Sequence, residues 1–166
     1  MTMQPNTVVD GSYLATAPHC YVAVVEIDAT PEQVFACFED EHSWPAWAIP
    51  ITQVEWTSPK PYGLGTTRRV SMMGGLVADE VFIGWDYPKH MAFCFTESSQ
   101  GLIESFAEDY QVSVLDNGKT RVQWTMAMTP KGFGKFSMAV SRPFMRISLQ
   151  WMFNRFKKHV EERFPR

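Results

Sequence analysis

Residues 21–35, YVAVVEIDATPEQVF, join a strand directly to a capped helix, and this junction decides the fold. The first half is a β-rich run in which Tyr21, Ala23, Val25 and Ile27 alternate with Val22, Val24 and Glu26, as expected of a strand that ends at Asp28. Thr30 then supplies a helix N-cap, and Pro31 stands at the first helical position. Gln33 lies where its side chain can return to the N–H of the cap residue. The sequence therefore predicts a first strand followed by a helix that begins at Pro31.

The chain on the C-terminal side of this junction changes from strands to one long helix. Between residues 51 and 129, turn signals separate β-rich runs into six predicted strands, and Asn117-Gly118 predicts a tight hairpin. From Pro143 to about residue 164, apolar residues recur at spacings of three and four, which predicts an amphipathic helix. The predicted architecture is α+β, with a seven-stranded antiparallel sheet and a long C-terminal helix.

On the N-terminal side, residues 1–18 show little periodicity and are expected to form an arm with little regular order. Residues 19–166 are then expected to form a single domain, since 166 residues suit one hydrophobic core. The aromatic segment 42–47 predicts a second short helix or turn after the capped helix. Its Trp44 and Trp47 have two interpretations, a lid over a cavity mouth or simple buried packing.

Five local segments carry a family resemblance. They are Ile27–Phe35, the block Trp44-Pro45-Ala46-Trp47, Gly63-Leu64-Gly65-Thr66, Trp85-Asp86-Tyr87-Pro88 and Phe156–Glu161. In these segments, and in its order of elements, the chain resembles the START-like or SRPBCC superfamily, closest to its polyketide cyclase/dehydratase and lipid-transport branch. The resemblance implies a helix-grip fold, in which the last helix closes a curved sheet. It says little about chemistry, because carriers, cyclases, receptors and oxygenase domains share this fold.

Composition excludes several classes of function. A net charge of −3 and scattered basic residues provide no general field for phosphate backbones, so nucleic acid is not an expected partner. No signal sequence or membrane-spanning run is apparent, and the three cysteines form no disulfide framework, so we expect free thiols in a cytoplasmic protein. The oligomeric state stays open, with a homodimer as one alternative. The scattered histidines have no metal-ligand spacing, and we expect no metal or cofactor.

Strand phase predicts which side chains face the interior, because alternate residues share a face. Together with the helix pattern, it predicts an apolar binding surface. Its expected members are Phe93, Phe95, Tyr110, Val112, Trp124, Met126 and Met152. Sequence alone leaves open whether these side chains pack solid or enclose a cavity of ligand size.

The same phase argument brings polar residues inward. Glu108 shares the face of Tyr110, Glu97 follows Phe93 and Phe95, and Arg68 shares the face of Val70 and Met72. On one strand, Val77, Val81 and Ile83 bring Asp79 inward, whereas Ala78, Phe82 and Gly84 would bring Glu80 instead. We take Glu108, Asp79 and Arg68 as the candidate catalytic residues, because a carboxyl group in an apolar cavity can titrate near neutrality. The alternative for each acid is a strand end, or a bulge that turns it to solvent.

Two functions fit these residues. The first is a carrier or sensor that binds an apolar lipid, polyketide or aromatic metabolite, which the lack of any catalytic signature favours. The second is a cyclase or dehydratase that uses the cavity carboxylates as general acid and base, which the inward acids and the arginine favour. A third and weaker interpretation is an interaction protein whose exposed last helix binds a partner.

Overall fold

The computed structural model of the protein describes residues 2–132 and 134–165, with the backbone alone over residues 134–143. Residue 1, the start of the predicted arm, and residue 166, the end of the predicted domain, lie outside the described residues. The elements in chain order are β1 (Gln4–Pro5), α1 (Tyr13–Thr16), β2 (His19–Ile27), α2 (Pro31–Glu39), α3 (Ser43–Trp47), β3 (Ile51–Trp56), β4 (Thr67–Met72), a 3₁₀ turn (Met73–Gly75), β5 (Val77–Asp86), β6 (His90–Ser98), β7 (Ile103–Val114), β8 (Thr120–Pro130) and α4 (Gly134–Arg163).

The sheet confirms the predicted topology. Its order is β2-β8-β7-β6-β5-β4-β3, with every neighbouring pair antiparallel, so β3 to β8 form a meander and β2 returns beside β8. The seven long strands curl into a half-barrel, and the helix-grip prediction is confirmed. One turn of this sheet is the predicted hairpin, in which Gly118 takes a φ of 79° and Leu115 N–H donates to Lys119 O at 2.8 Å. Glycine suits that left-handed conformation.

The N-terminal arm is more regular than its composition predicts. The two-residue strand β1 pairs with β6, and the amide N–H of Asn6 donates to Thr96 O at 2.9 Å. The hydroxyl of Tyr13, in α1, hydrogen-bonds the hydroxyl of Thr129 at 2.7 Å. These contacts hold residues 4–16 against β6, β7 and β8.

The helix start at Pro31 is confirmed in detail. The hydroxyl of Thr30 accepts from Gln33 N–H at 3.3 Å, and the side chain of Gln33 accepts from Thr30 N–H at 2.8 Å. This reciprocal pair satisfies two of the backbone donors that a helix start leaves free. The helix buries Val34, Phe35 and Phe38 against the concave side of the sheet.

The long helix α4 begins earlier than predicted, at Gly134 and not near residue 143. A proline is common in a first helical turn, and glycines precede this one, so Pro143 was mistaken for the start. The apolar side of α4 lies on the sheet, with Leu149, Phe156 and Val160 buried as predicted. Phe153 is also buried, and its ring stacks on Phe156 with the centroids 5.5 Å apart.

Trp44 and Trp47 belong to the core, which favours buried packing over a lid at the cavity mouth. Both are almost fully buried, and the ring of Trp47 lies 5.0 Å from that of Phe156. The short helix α3 therefore packs between β3 and α4. Among the described helices, none is long and apolar enough to span a membrane.

Candidate functional site

A cavity of about 190 Å³ lies between the concave face of the sheet and α4. Its wall is mostly aromatic and thioether side chains. The lining residues are Trp44, Trp47, Ala48, Pro50, Ile51, Arg68, Met72, Leu76, Glu80, Phe93, Phe95, Ile103, Phe106, Glu108, Tyr110, Trp124, Met126, Met128, Met145 and Met152. An apolar wall with a few convergent polar groups is typical of small-molecule sites.

Six of the seven predicted ligand contacts lie on this wall. They are Phe93, Phe95, Tyr110, Trp124, Met126 and Met152. The seventh, Val112, is buried but does not line the cavity. It is the next inward residue of β7 after Tyr110, at the end of the sheet that α2 covers, where it borders a surface hollow with Pro31 and Glu32. Strand phase gives the face of a residue and not its depth along the strand, which is why Val112 was included.

The interior acid of β5 is Glu80, so the choice of Asp79 was wrong in its placement. Asp79 lies on the outer face, where Arg69 donates to it through two hydrogen bonds of 2.7 and 2.8 Å. Glu80 is only 3% exposed and lines the cavity. The prediction for β5 assumed that the β-branched residues Val77 and Val81 face the interior. They are only half-buried and lie on the outer face.

Glu97 is likewise exposed, because a bulge in β6 changes the strand phase. Asp79 stands opposite Glu97 in the ladder, but the next residue, Glu80, stands opposite Phe95. Thr96 is therefore an extra residue on β6, and it turns the side chain of Glu97 to the outer face. A bulge of this kind was the alternative considered for this acid.

Arg68 and Glu80 form a buried ion pair on the cavity wall. They stand opposite each other on β4 and β5, and Arg68 Nε donates to Glu80 Oε2 at 2.5 Å. The guanidinium also lies over the rings of Trp44 and Phe93, with its carbon 4.2 and 4.4 Å from the two centroids. Burial raises the pKa of Glu80, and the neighbouring guanidinium of Arg68 opposes that rise. Flat aromatic faces and one carboxylate thus hold the cation away from water.

The guanidinium keeps unused hydrogen-bonding capacity. Arg68 is 1% exposed, and its Nη1 has no hydrogen-bond partner among the described residues. Trp124 Nε1 is buried and lies close enough to Glu108 to lower the pKa of that carboxyl group, and it has no other partner in the described part of the chain. Buried donors are rarely left unpaired in native proteins, so Arg68 Nη1 marks a position for a missing acceptor.

Glu108 lies inside the cavity wall, as its strand phase predicted. It stands between Phe93 and Met126 in the sheet and is 8% exposed. The hydroxyl of Tyr110 donates to Glu108 Oε2 at 2.7 Å. Burial raises the pKa of this carboxyl group to about 8, the Tyr110 hydrogen bond opposes the rise, and the nearby charge of Glu80 adds to it. At neutral pH the group is therefore mostly protonated, and it can donate a hydrogen bond or a proton.

Sequence reasoning placed Arg68 and Glu108 on the inner face, and Tyr110 beside them as a member of the apolar surface. It left Glu80 as the alternative and took Asp79, although the signal for Glu80 was present. Ala78 and Phe82 share the inward face with Glu80, and Arg68 requires a buried anion beside it. No cluster of three or more potential metal ligands occurs among the described residues.

Comparisons with known proteins agree with this architecture. An uncharacterised protein of Mycobacterium tuberculosis is 41% identical over 162 residues, which cover 98% of this chain and 96% of the relative. A START superfamily protein from Mycobacterium smegmatis has a TM-score of 0.69 at 12% identity, covering 87% of this chain and 98% of that one. The Zhui aromatase/cyclase from a Streptomyces species has a TM-score of 0.67 at 14% identity, covering 87% and 94%. At such low identities these two structures show similarity of fold alone.

The family itself is shown by sequence. The profile of the family described as polyketide cyclase/dehydrase and lipid transport matches residues 18–161, which span nearly all of the sheet and α4. The chain therefore belongs to the polyketide cyclase/dehydrase and lipid transport family.

Proposed function

We propose that the protein binds one small apolar molecule in the cavity between the sheet and α4, as a carrier or sensor. The observation that carries this proposal is the wall itself, in which aromatic and methionine side chains surround a single polar group of Arg68, Glu80 and Glu108. In a solid core, a buried guanidinium with an unpaired N–H group would add a desolvation cost that no contact offsets.

The polar end of the ligand is expected to be a hydrogen-bond acceptor. Arg68 Nη1 has no partner among the residues that the structure describes, and a protonated Glu108 adds a second donor. A carbonyl, ether or phenolic oxygen would satisfy these donors without adding a second buried charge. The pair of Arg68 and Glu80 is already neutral, so a neutral acceptor costs less desolvation than a carboxylate.

The volume limits the size of the ligand. A dry cavity of about 150 Å³ is enough for benzene, so about 190 Å³ suits a compact ring compound or a short chain. A longer lipid or polyketide would need α4 or the half-buried side chains of Met145 and Met152 to move outward.

An apolar fluorescent dye tests occupancy of the cavity. The wild-type chain should bind it at a stoichiometry of one. Leu76 is a half-buried residue of the cavity wall, and the larger side chain of Leu76→Trp should occupy part of the cavity. This change should weaken dye binding by at least about tenfold. Val77→Trp is the matched control, because Val77 is the next residue and lies half-buried on the outer face. Equal dye binding by both variants and the wild type would exclude the cavity as the site.

A cyclase or dehydratase activity is the second candidate, and the pKa of about 8 for Glu108 favours it. Glu108→Gln keeps the shape and removes the proton transfer. In an enzyme, this change should abolish conversion of the bound compound and leave its binding largely intact. In a carrier, it should alter affinity by roughly 1 to 3 kcal/mol, and no conversion should occur in the wild type either.

A further inference from the structure

Both ends of the sheet carry exposed apolar side chains, with Leu64, Tyr87 and Val114 at the end that α2 covers and three others at the end where the cavity lies. At this cavity end β4, β6 and β8 end, and three loops lead into β3, β5 and β7. Each loop carries one exposed apolar residue, and the three, Ile49, Met73 and Leu102, are named here the mouth rim. The loops are joined by hydrogen bonds, since Met73 N–H donates to Pro50 O at 2.8 Å and the side chain of Gln100 donates to Gly74 O at 3.4 Å.

The cavity meets solvent at this same end. The lining residues that keep some exposure include Pro50, Ile51, Met72, Leu76 and Ile103, and each belongs to one of these three loops or to the strand end beside it. The polar group of Arg68 and Glu80 lies deeper and is buried. The mouth rim therefore surrounds the entrance to the cavity.

Helix α4 adds a second apolar surface. It follows β8, which ends at the rim, so its N-terminal half lies nearest the mouth. Phe144, Ile147 and Trp151, named here the outer stripe, are 71%, 70% and 54% exposed. Their spacing of three and four places them on one face of the helix, opposite the buried Leu149 and Phe156. Large apolar residues on the solvent side of a helix are a mark of an interaction surface.

The charge of this part of the chain is strongly asymmetric. Residues 131–146 contain four basic side chains and no acidic one, whereas the whole chain has a net charge of −3, so the remainder carries −7. The four are Lys131, Lys135, Arg142 and Arg146, whereas Lys157 and Lys158, farther along α4, are paired with Glu161 and Glu162. The acids at this end lie on the convex side, with Glu97 opposite Asp79 in the ladder and Glu104 in electrostatic reach of Tyr13.

We propose that the mouth rim and the outer stripe dock on the surface of an anionic lipid bilayer, with the cavity entrance facing the membrane. Apolar side chains flanked by basic ones on a helix are what an anionic bilayer binds. A nucleic acid would use the basic residues but leave the apolar ones in water. A symmetric dimer through this face would bring two basic segments together.

Flotation of the full chain with vesicles tests this docking. Vesicles of phosphatidylcholine with phosphatidylglycerol should bind the protein at least about tenfold more strongly than phosphatidylcholine alone, and raised salt should remove the difference. Arg146→Gln should weaken binding to the anionic vesicles by about fivefold, because one basic residue near the surface is lost. Equal binding to both vesicles, or binding to neither, would overturn the proposal.

Matched variants test the location of the docking surface. The double change Met73→Ser with Leu102→Ser should weaken binding to anionic vesicles by about tenfold or more. Leu64→Ser with Val114→Ser is the control, since these residues are 74% and 64% exposed at the opposite end of the sheet. An equal loss in the control would refute the assignment, as would a dimer in sedimentation that only the rim variant abolishes. Both double variants should still bind the dye, so failure of docking is distinguished from failure of the cavity proposal.

Discussion

Burial changes the acid chemistry of Glu108 more than any single partner does. Its carboxyl group accepts a hydrogen bond from Tyr110, which favours the charged form, yet the pKa still rises to about 8. The reason is that Phe93 and Met126 flank it in the sheet, and an apolar wall cannot solvate a charge. At neutral pH the protonated carboxyl group of Glu108 can therefore donate a hydrogen bond, and it can also transfer its proton.

This raised pKa predicts a loss of stability with increasing pH. Between the ordinary value of 4.5 and about 8, the folded chain holds a proton on Glu108 that the unfolded chain has released. The contribution of this group is complete below the lower value and is lost as pH rises through the upper one. Urea unfolding across this window should show the wild type losing about 1 kcal/mol per pH unit relative to Glu108→Gln. A constant difference between the two would mean that Glu108 ionises normally.

Arg68 and Arg69 are neighbours whose ion pairs differ in burial. Arg68→Met leaves Glu80 buried without its cation, and the expected cost is on the order of 3 kcal/mol of unfolding free energy. Arg69→Met removes a cation from a half-exposed pair with Asp79, and its effect should be much smaller. Adding Glu80→Gln to Arg68→Met should recover part of the loss. Equal destabilisation by the two single changes, measured in urea, would contradict the burial of the Arg68 pair.

At the scale of elements, the helix start at Pro31 rests on the side chain of Thr30. Thr30→Ala removes the acceptor for Gln33 N–H and should cost about 0.5 to 2 kcal/mol. Thr30→Ser keeps the hydroxyl and should retain most of the stability. The comparison is made by denaturant unfolding, and a stable alanine variant would show that the cap contributes nothing.

Local signals explain which elements could be predicted. The capping box, the Asn117-Gly118 hairpin and the inward faces of β7 and β8 follow from a few adjacent residues each, and the structure has them as predicted. The faces of β5 and β6 could not be obtained in the same way. A bulge adds one residue and inverts the alternation, and its position depends on the partner strand.

The start of α4 was missed for a related reason. The residues before Pro143 contain glycine and lack an N-cap pattern, so nothing local marks Gly134 as the first residue. Phe153 was missed because two adjacent positions, Met152 and Phe153, both face the sheet, and the periodic pattern included only one of them.

At the scale of the whole molecule, the two ends of the sheet differ in how tightly their interior is filled. Helix α2 fills one end with Phe35 and Phe38, which pack against Trp85 and Phe156. The other end keeps a cavity and an exposed apolar rim. Sequence alone could predict the concave apolar face but not the empty volume, because that volume depends on how far α4 lies from the strands.

Native mass spectrometry of the freshly purified chain tests the central claim most directly. The account predicts a complex of one chain with one small molecule, which denaturing solvent releases as an apolar compound with an acceptor oxygen. The Leu76→Trp variant should lose this complex, and the Val77→Trp variant should retain it. A mass equal to that of the chain alone, together with no binding of the apolar dye, would contradict the claim that the cavity holds a ligand.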